Sequence, residues 1–295
     1  MSGQSEEFLA HAATGVTTFC RAWAILRTDG QSFGFTDHDT PLSFDGITFR
    51  ADTGLSAAAL AQTTGLSVDN TEALGALTDA AVREDEIEAG RFDNAEVRAW
   101  VVNWKDPNVR WLQFRGTIGE MRRSGGAFHA ELRGLTEALN RPQGRVYQKA
   151  CTAVLGDGSC RFNLDLPGYR HEGVPDRVID GRVFEWDDLA GFEPQWFMRG
   201  RLDVVSGAAA GLWGMIKRDV TENGVRRIEL WEAMRAPIVA EDAVRLTVGC
   251  DKRFETCRLK FNNLLNFQGF PDLPGDDWMM AYPTSGGSNS GGSLR

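Results

Sequence analysis

Five cysteines, Cys20, Cys151, Cys160, Cys250 and Cys257, are the residues of this sequence best able to do chemistry. Four of them form two close pairs, with eight residues between Cys151 and Cys160 and six between Cys250 and Cys257. Both pairs lie outside strand patterns, in segments carrying Gly156, Gly158 and Gly249. Such segments can curl so that two sulfurs converge. Four thiolates bind either zinc or an iron–sulfur cluster. Neither spacing is the short one usual for zinc fingers and ribbons. A cluster holds its sulfur ligands farther apart than one zinc ion does, so wide loops suit it better. Cys20 lies inside the apolar run Cys20–Leu26 and reads as a small buried hydrophobe.

Other chemistry is thin. The four histidines, His11, His38, His129 and His171, are scattered along the chain. Asp37-His38-Asp39 could bind a cation but reads first as a polar turn. Gly30 to Gly34 is followed by no Lys-Ser or Lys-Thr, so it is no phosphate loop. Neither a Gly-x-Ser-x-Gly elbow nor a His-Glu-x-x-His zinc motif occurs. Trp186, Trp196, Phe197, Trp213 and Trp231 stand at strand spacing and read as core or subunit interface.

The elements that must position the cysteines are mostly strands. A short amphipathic helix is expected over residues 3–13, with Phe8 and Leu9 on its apolar side. Cys20–Leu26 and Ser32–Thr36 read as strands around the turn Thr28-Asp29-Gly30. Asp45-Gly46 joins Leu42–Phe44 to Ile47–Phe49 as a hairpin. Residues 78–89 read as a helix ending at Gly90, with Glu84, Asp85, Glu86 and Glu88 on a solvated face. Val97–Trp104, Arg110–Ile118 and, after a Gly125-Gly126 turn, Ala127–Leu132 continue the β pattern. A boundary is expected near Asn140–Gly144. Beyond it, Val183–Trp186, Phe197–Val205, Leu212–Arg218, Val225–Trp231 and Val244–Val248 read as strands. The expected class is mainly β, with two antiparallel, barrel-like domains and a few short helices. The divisions are 1–142, 143–283 with the cysteine site, and a flexible Gly/Ser tail over 284–295.

Composition narrows the function. The 295 residues are 42% hydrophobic, enough for a sizeable core. Lys plus Arg number 32 against 41 Asp plus Glu, a net charge of −9. That balance argues against a DNA-coating protein. It is compatible with a protein past which DNA moves, since an acidic wall repels phosphates. No signal peptide and no apolar stretch of membrane-spanning length is visible, which places synthesis and folding in the cytosol. There, thiols or metal ligands are expected rather than disulfides.

The region around the second pair is the most specific. Gly249-Cys250-Asp251-Lys252-Arg253-Phe254-Glu255-Thr256-Cys257 runs on to Lys260-Phe261-Asn262-Asn263-Leu264-Leu265-Asn266-Phe267-Gln268-Gly269-Phe270-Pro271. With Leu273-Pro274-Gly275-Asp276-Asp277, it resembles the C-terminal domain of the tail-tip hub family of gene transfer agents and related siphophages. The segment Cys151–Cys160 fits the same family. So do Glu88–Val97 with Val102-Asn103-Trp104, Gly116–Glu120 and Glu131–Leu135, and the resemblance covers most of residues 15–280. The minor tail protein L of phage lambda looks like a more distant relative with a comparable four-cysteine site.

The resemblance implies a non-enzymatic tail hub in which Cys151, Cys160, Cys250 and Cys257 ligate a 4Fe–4S cluster. It implies a homotrimer of β-barrel domains, whose two similar barrels per chain make a pseudo-sixfold ring that meets a sixfold tail tube. The implied neighbours are the distal tail protein ring and a baseplate or tail fibre protein. DNA would pass through the channel without specific binding, and the final location would be the tail tip of an extracellular particle. The cluster would act as a structural staple. Turn acids such as Asp157, Asp165, Asp187, Asp188, Glu241 and Asp242 are available for the channel wall. Two other readings stay open: an iron–sulfur redox enzyme, for which no second motif is seen, and a zinc-stapled domain of the same architecture.

Overall fold

The computed structural model describes residues 5–51, 56–57, 70–76, 83–124, 127–134 and 144–273. The expected turn at Gly125-Gly126, residues 78–82 of the expected helix, Asn140–Gln143 and the 284–295 segment lie outside the described residues. The protein is mostly β, with 35% strand and 10% helix in two sheets, one of them a half-barrel. It divides into two compact units, Met1–Pro142 and Gln143–Arg295. Among the described residues no helix is long and apolar enough to cross a membrane.

The first unit opens with helix α1 (Glu6–Ala13), whose N-terminus is capped by Ser5 accepting from the Phe8 amide at 3.2 Å. Phe8 is buried and stacks on Phe19 at 4.5 Å, but Leu9 is 49% exposed. Adjacent helical residues point about 100° apart, so one of the expected apolar pair must face outward. Nine strands follow: β1 (Phe19–Leu26), β2 (Ser32–Thr36), β3 (Leu42–Phe44), β4 (Ile47–Arg50), β5 (Ser56–Ala57), β6 (Asn70–Ala76), β7 (Glu96–Asn103), β8 (Arg110–Ser124) and β9 (Ala127–Gly134). They form one sheet in the order β3-β4-β2-β1-β7-β8-β9-β6-β5, antiparallel except where β2 runs parallel to β4. The β3–β4 turn places Asp45 and Gly46 at φ 51° and 74°. That left-handed pair matches the right-handed strand twist, and Asp-Gly adopts it readily.

Strand β1 is buried on both faces. Cys20, Ala22 and Ala24 join Leu42, Phe44, Ile47, Phe49, Trp100 and Val102 in one cluster. Trp23 and Ile25 join Phe35, Phe92, Val97, Phe114 and Ile118 in another. A strand covered on both sides reads as a continuous apolar run, as Ala22–Leu26 does. Helix α2 (Glu84–Glu88) ends at Gly90, which has φ 72°. Its acids are not all solvated. Glu86 accepts from Arg27 at 3.1 Å, and the Arg27 side chain is fully buried. A buried cation needs a counter-charge, and this helix supplies one carboxylate while Asp29 supplies another.

In the second unit seven strands form a sheet: β10 (Arg170–Gly173), β11 (Arg177–Ile179), β12 (Val183–Trp186), β13 (Arg201–Val204), β14 (Trp213–Glu222), β15 (Val225–Leu230) and β16 (Val244–Thr247). The order is β10-β16-β13-β14-β15-β12-β11. Phe184, Trp186, Phe197, Leu202, Ile216, Ile228, Leu230 and Leu246 are among its buried core. The expected strand Phe197–Val205 starts only at Arg201. Gln195 and Arg199 take positive φ in a tight turn, where the Phe197 amide donates to buried Asp219 at 2.8 Å. Asp219 is also bonded by Arg226 at 2.7 and 2.8 Å, with both side chains almost wholly buried. The aromatics divide by position: Trp186 and Phe197 are core, whereas Trp213 and Trp231 are 53% and 62% exposed.

Candidate metal centre

Two segments meet at one end of the second unit. The first, residues 144–169, holds no helix or strand. Its fold is set by side-chain-to-backbone bonds. Asp157 accepts from the amides of Val154 and Ser159 at 2.9 Å each and from that of Cys160 at 2.6 Å. These bonds hold its carboxyl below the usual range, the Cys160 amide contributing most. One carboxylate thus fixes the loop that ends in Cys160. Phe162 packs with Tyr169 and Phe261 beneath it.

The second segment leaves β16. The Val248 amide donates to Tyr169 O at 3.0 Å and the Gly249 amide to Trp196 O at 3.2 Å. A Cβ on Gly249 would lie 1.7 Å from Met198 O, so only glycine allows the chain to approach this closely before Cys250. Helix α3 (Phe254–Leu259) then carries Cys257 inward. Lys260, half-buried, donates to Trp196 O at 2.8 Å and Gly249 O at 3.1 Å, and lies 4.3 Å from the Trp196 ring centroid.

The two segments are strapped together. The Cys151 amide donates to Lys252 O at 2.9 Å, and Lys252 Nζ donates back to Ala153 O. The Phe270 amide reaches Gln148 O at 2.9 Å. The Asn263 side chain donates to Cys160 O at 2.7 Å. As a result Cys151, Cys160, Cys250 and Cys257 all line one recess that is partly open to solvent. None of the four is in a disulfide. Among the described residues no three His, Cys, Asp or Glu side chains form a group able to hold a metal ion; the sulfurs stand around the recess.

The electrostatics suit a cationic occupant. Burial pushes the Cys250 thiol up. Cys257 is pushed up to about 11, first by burial and then by the neighbouring Cys151, Cys250 and Cys160 thiols. Thiolates gathered on one recess repel one another, and a cation bound among them would offset that repulsion. By chemical type, four cysteines on one recess are the donors that a thiolate-ligated metal group takes.

Other residues singled out by sequence lie elsewhere. Cys20 is buried in the first unit, where its thiol donates to Val102 O at 3.5 Å. Asp37 accepts from the Arg21 amide at 2.6 Å, so the Asp37-His38-Asp39 stretch closes a polar turn. Of the acids named for a channel wall, Asp242 is buried and accepts from the Val239 amide, so it cannot line one. Asp165 is tied to Arg170 and Asp187 to Arg177. Sequence reading offered Asp157 for a channel wall, whereas its carboxylate is taken up by three amides of its own loop, and it assigned no roles to Lys252, Lys260 and Asn263. Asp157-Gly158-Ser159 is a turn signal that could have revealed the loop role of Asp157.

Comparison with known proteins bears on the same regions. Residues 5–163 match the family described as "Baseplate hub protein, N-terminal attachment domain", more than half of the chain and inclusive of the first cysteine pair. Residues 195–277, with the second pair, match "Phage conserved hypothetical protein BR0599". No curated protein matches. A chain from the structure titled "Virion of native gene transfer agent (GTA) particle" is 54% identical, with a TM-score of 0.91, over 99% of this chain and 100% of that one. The chain belongs to the phage baseplate hub protein family, a structural family and not an enzymatic one.

Proposed function

We propose that this chain is the tail-tip hub of a gene-transfer-agent-like particle, with a 4Fe–4S cluster on Cys151, Cys160, Cys250 and Cys257 as a structural staple. The observation that carries the cluster is the convergence of four free thiols on one recess. The spacings within the two pairs, eight and six residues, are wider than those usual for zinc fingers and ribbons, which favours a polynuclear centre over one zinc ion. Linking Cys151 to Cys257 closes a loop of about a hundred residues. Such a cross-link removes unfolded-state freedom on the order of several kcal/mol. The likeness to the lambda minor tail protein L belongs to this same four-cysteine reading.

For assembly, the reading is a homotrimeric ring between the distal tail protein and a baseplate or fibre protein, with DNA crossing its opening. Near-complete coverage of a gene transfer agent virion chain supports the particle. Exposed Trp213, Met215 and Trp231 support contacts with other chains. The Trp231 amide donates to Met215 O at 3.0 Å, so these side chains lie on neighbouring strands. Exposed aromatic and methionine side chains of this kind mark interfaces.

Serine substitutions test the cluster. Cys151→Ser, Cys160→Ser, Cys250→Ser and Cys257→Ser should each lose iron, and Cys20→Ser should keep it. Full iron in the double Cys250→Ser, Cys257→Ser variant would sink the assignment. Zinc in place of iron in the unaltered protein would favour the zinc-stapled reading.

A further inference from the structure

We propose that Asn263 is a positioning residue that ties the two cysteine pairs together and sets the electron density of the metal centre by donating an amide N–H to Cys160 Sγ. The inference rests on the reading of the four cysteines as cluster ligands. Asn263 is half-buried, just beyond α3 and after Asn262, which takes φ 44°. Its backbone amide donates to Cys257 O at 3.0 Å, and its own carbonyl receives the Cys257 thiol at 3.4 Å. Its side-chain Nδ2 lies 2.7 Å from Cys160 O and 3.5 Å from Cys160 Sγ. A single residue therefore holds one cysteine of each pair.

The orientation of the side-chain amide follows from chemistry. A carbonyl oxygen can only accept, so the end of Asn263 facing Cys160 O must be the NH₂. The other end, Oδ1, accepts from Asn266 Nδ2 at 2.7 Å. With both ends satisfied, the amide is held with its donors toward Cys160. With a metal bound, the Cys257 thiol would release its proton to solvent and lose that sulfur's bond to Asn263 O. Asn263 Nδ2 remains a donor aimed at a ligating sulfur. A sulfur that accepts an N–H bond carries less negative charge toward the metal. This favours the more reduced, more negative state and raises the reduction potential.

The test compares anaerobically purified wild-type protein with Asn263→Ala, Asn263→Asp and Asn266→Ala. Two quantities are read: the rate of iron loss to a ferrous chelator, and the midpoint potential by spectroelectrochemistry. Both Asn263 variants should lose iron about 10- to 100-fold faster. Their loaded fraction should have a more negative midpoint. Asn266→Ala leaves Asn263 in place but unlatched, and should move both quantities the same way by less. It carries the test if the Asn263 variants fail to fold. An unchanged midpoint in the variants that load iron overturns the proposal even if iron leaves faster, because lost packing alone gives that result. Wild-type protein without iron overturns the cluster reading itself, and the proposal with it.

Discussion

Replacing Asp219 with alanine should unfold the second unit at a much lower temperature. Asp219 and Arg226 are 1% and 3% exposed and joined at 2.7 and 2.8 Å. Asp219 also receives the Phe197 amide at 2.8 Å. Arg226 is further spent on Phe192 O at 3.1 Å and Glu193 O at 2.9 Å, so it cannot swing to solvent without breaking the turn. Asp219→Ala leaves a buried guanidinium without its counter-charge and a buried N–H without an acceptor. Removing one partner of such a pair costs about 3–5 kcal/mol. At about 2–4 °C per kcal/mol for a unit of this size, the midpoint should drop on the order of 10 °C. Thermal and urea unfolding followed by tryptophan fluorescence measures both. The double variant Asp219→Leu, Arg226→Met should lose less than Asp219→Ala, because it buries no unpaired charge. A loss below about 1 kcal/mol in Asp219→Ala would refute the reasoning, since it would place the pair in the range of exposed bridges.

Further outcomes follow from other parts of the chain. Asp157→Ala should release the Cys160 loop and lower iron content without unfolding the sheet; wild-type iron content would show that the loop holds without it. Truncation after Pro283 removes a Gly- and Ser-rich stretch and should leave the thermal midpoint of the soluble protein unchanged, whereas aggregation would show that the stretch is packed. The carboxyls of Glu96, Glu185, Glu229 and Asp187 are held low, first by Arg98, Arg177, Lys217 and Arg177 respectively. Their contribution is present above the ordinary carboxylate pKa of about 4 and lost as pH falls through the lowered folded values. The thermal midpoint should therefore be insensitive to these groups from pH 7 to 5 and decline below about pH 4; a decline between pH 7 and 5 in wild type that variants lacking them do not show would contradict the sign.

The strands most legible in the sequence are those with strong turns and alternating burial. Ser32–Thr36 and the Asp45-Gly46 hairpin could be read directly. Strands β10 and β11 were not legible, because Arg170-His171-Glu172-Gly173 and Arg177-Val178-Ile179 carry too little apolar alternation to stand out. The first residues of Phe197–Val205 carry a strand-like pattern but fold as a turn. Phe197 is apolar because the core takes it, while its backbone is shaped by Asp219, a partner 22 residues away. The same limit applies at the recess. Cysteine type and spacing expose the four thiols, but the bonds from Asn263 to Cys160 and from Lys252 to Ala153 join residues about a hundred positions apart. Nothing local signals such contacts. Leu9 and Glu86 show the finer failure. Composition gave their elements, and packing decided which side each residue faced.

The central claim is tested most directly by iron per chain and subunit count on the same anaerobically purified sample. The account predicts about four irons per chain, a visible charge-transfer absorbance that bleaches on reduction, and a particle mass of three chains. Protein with no iron, or with one zinc per chain, and a stable monomer at all concentrations would contradict it.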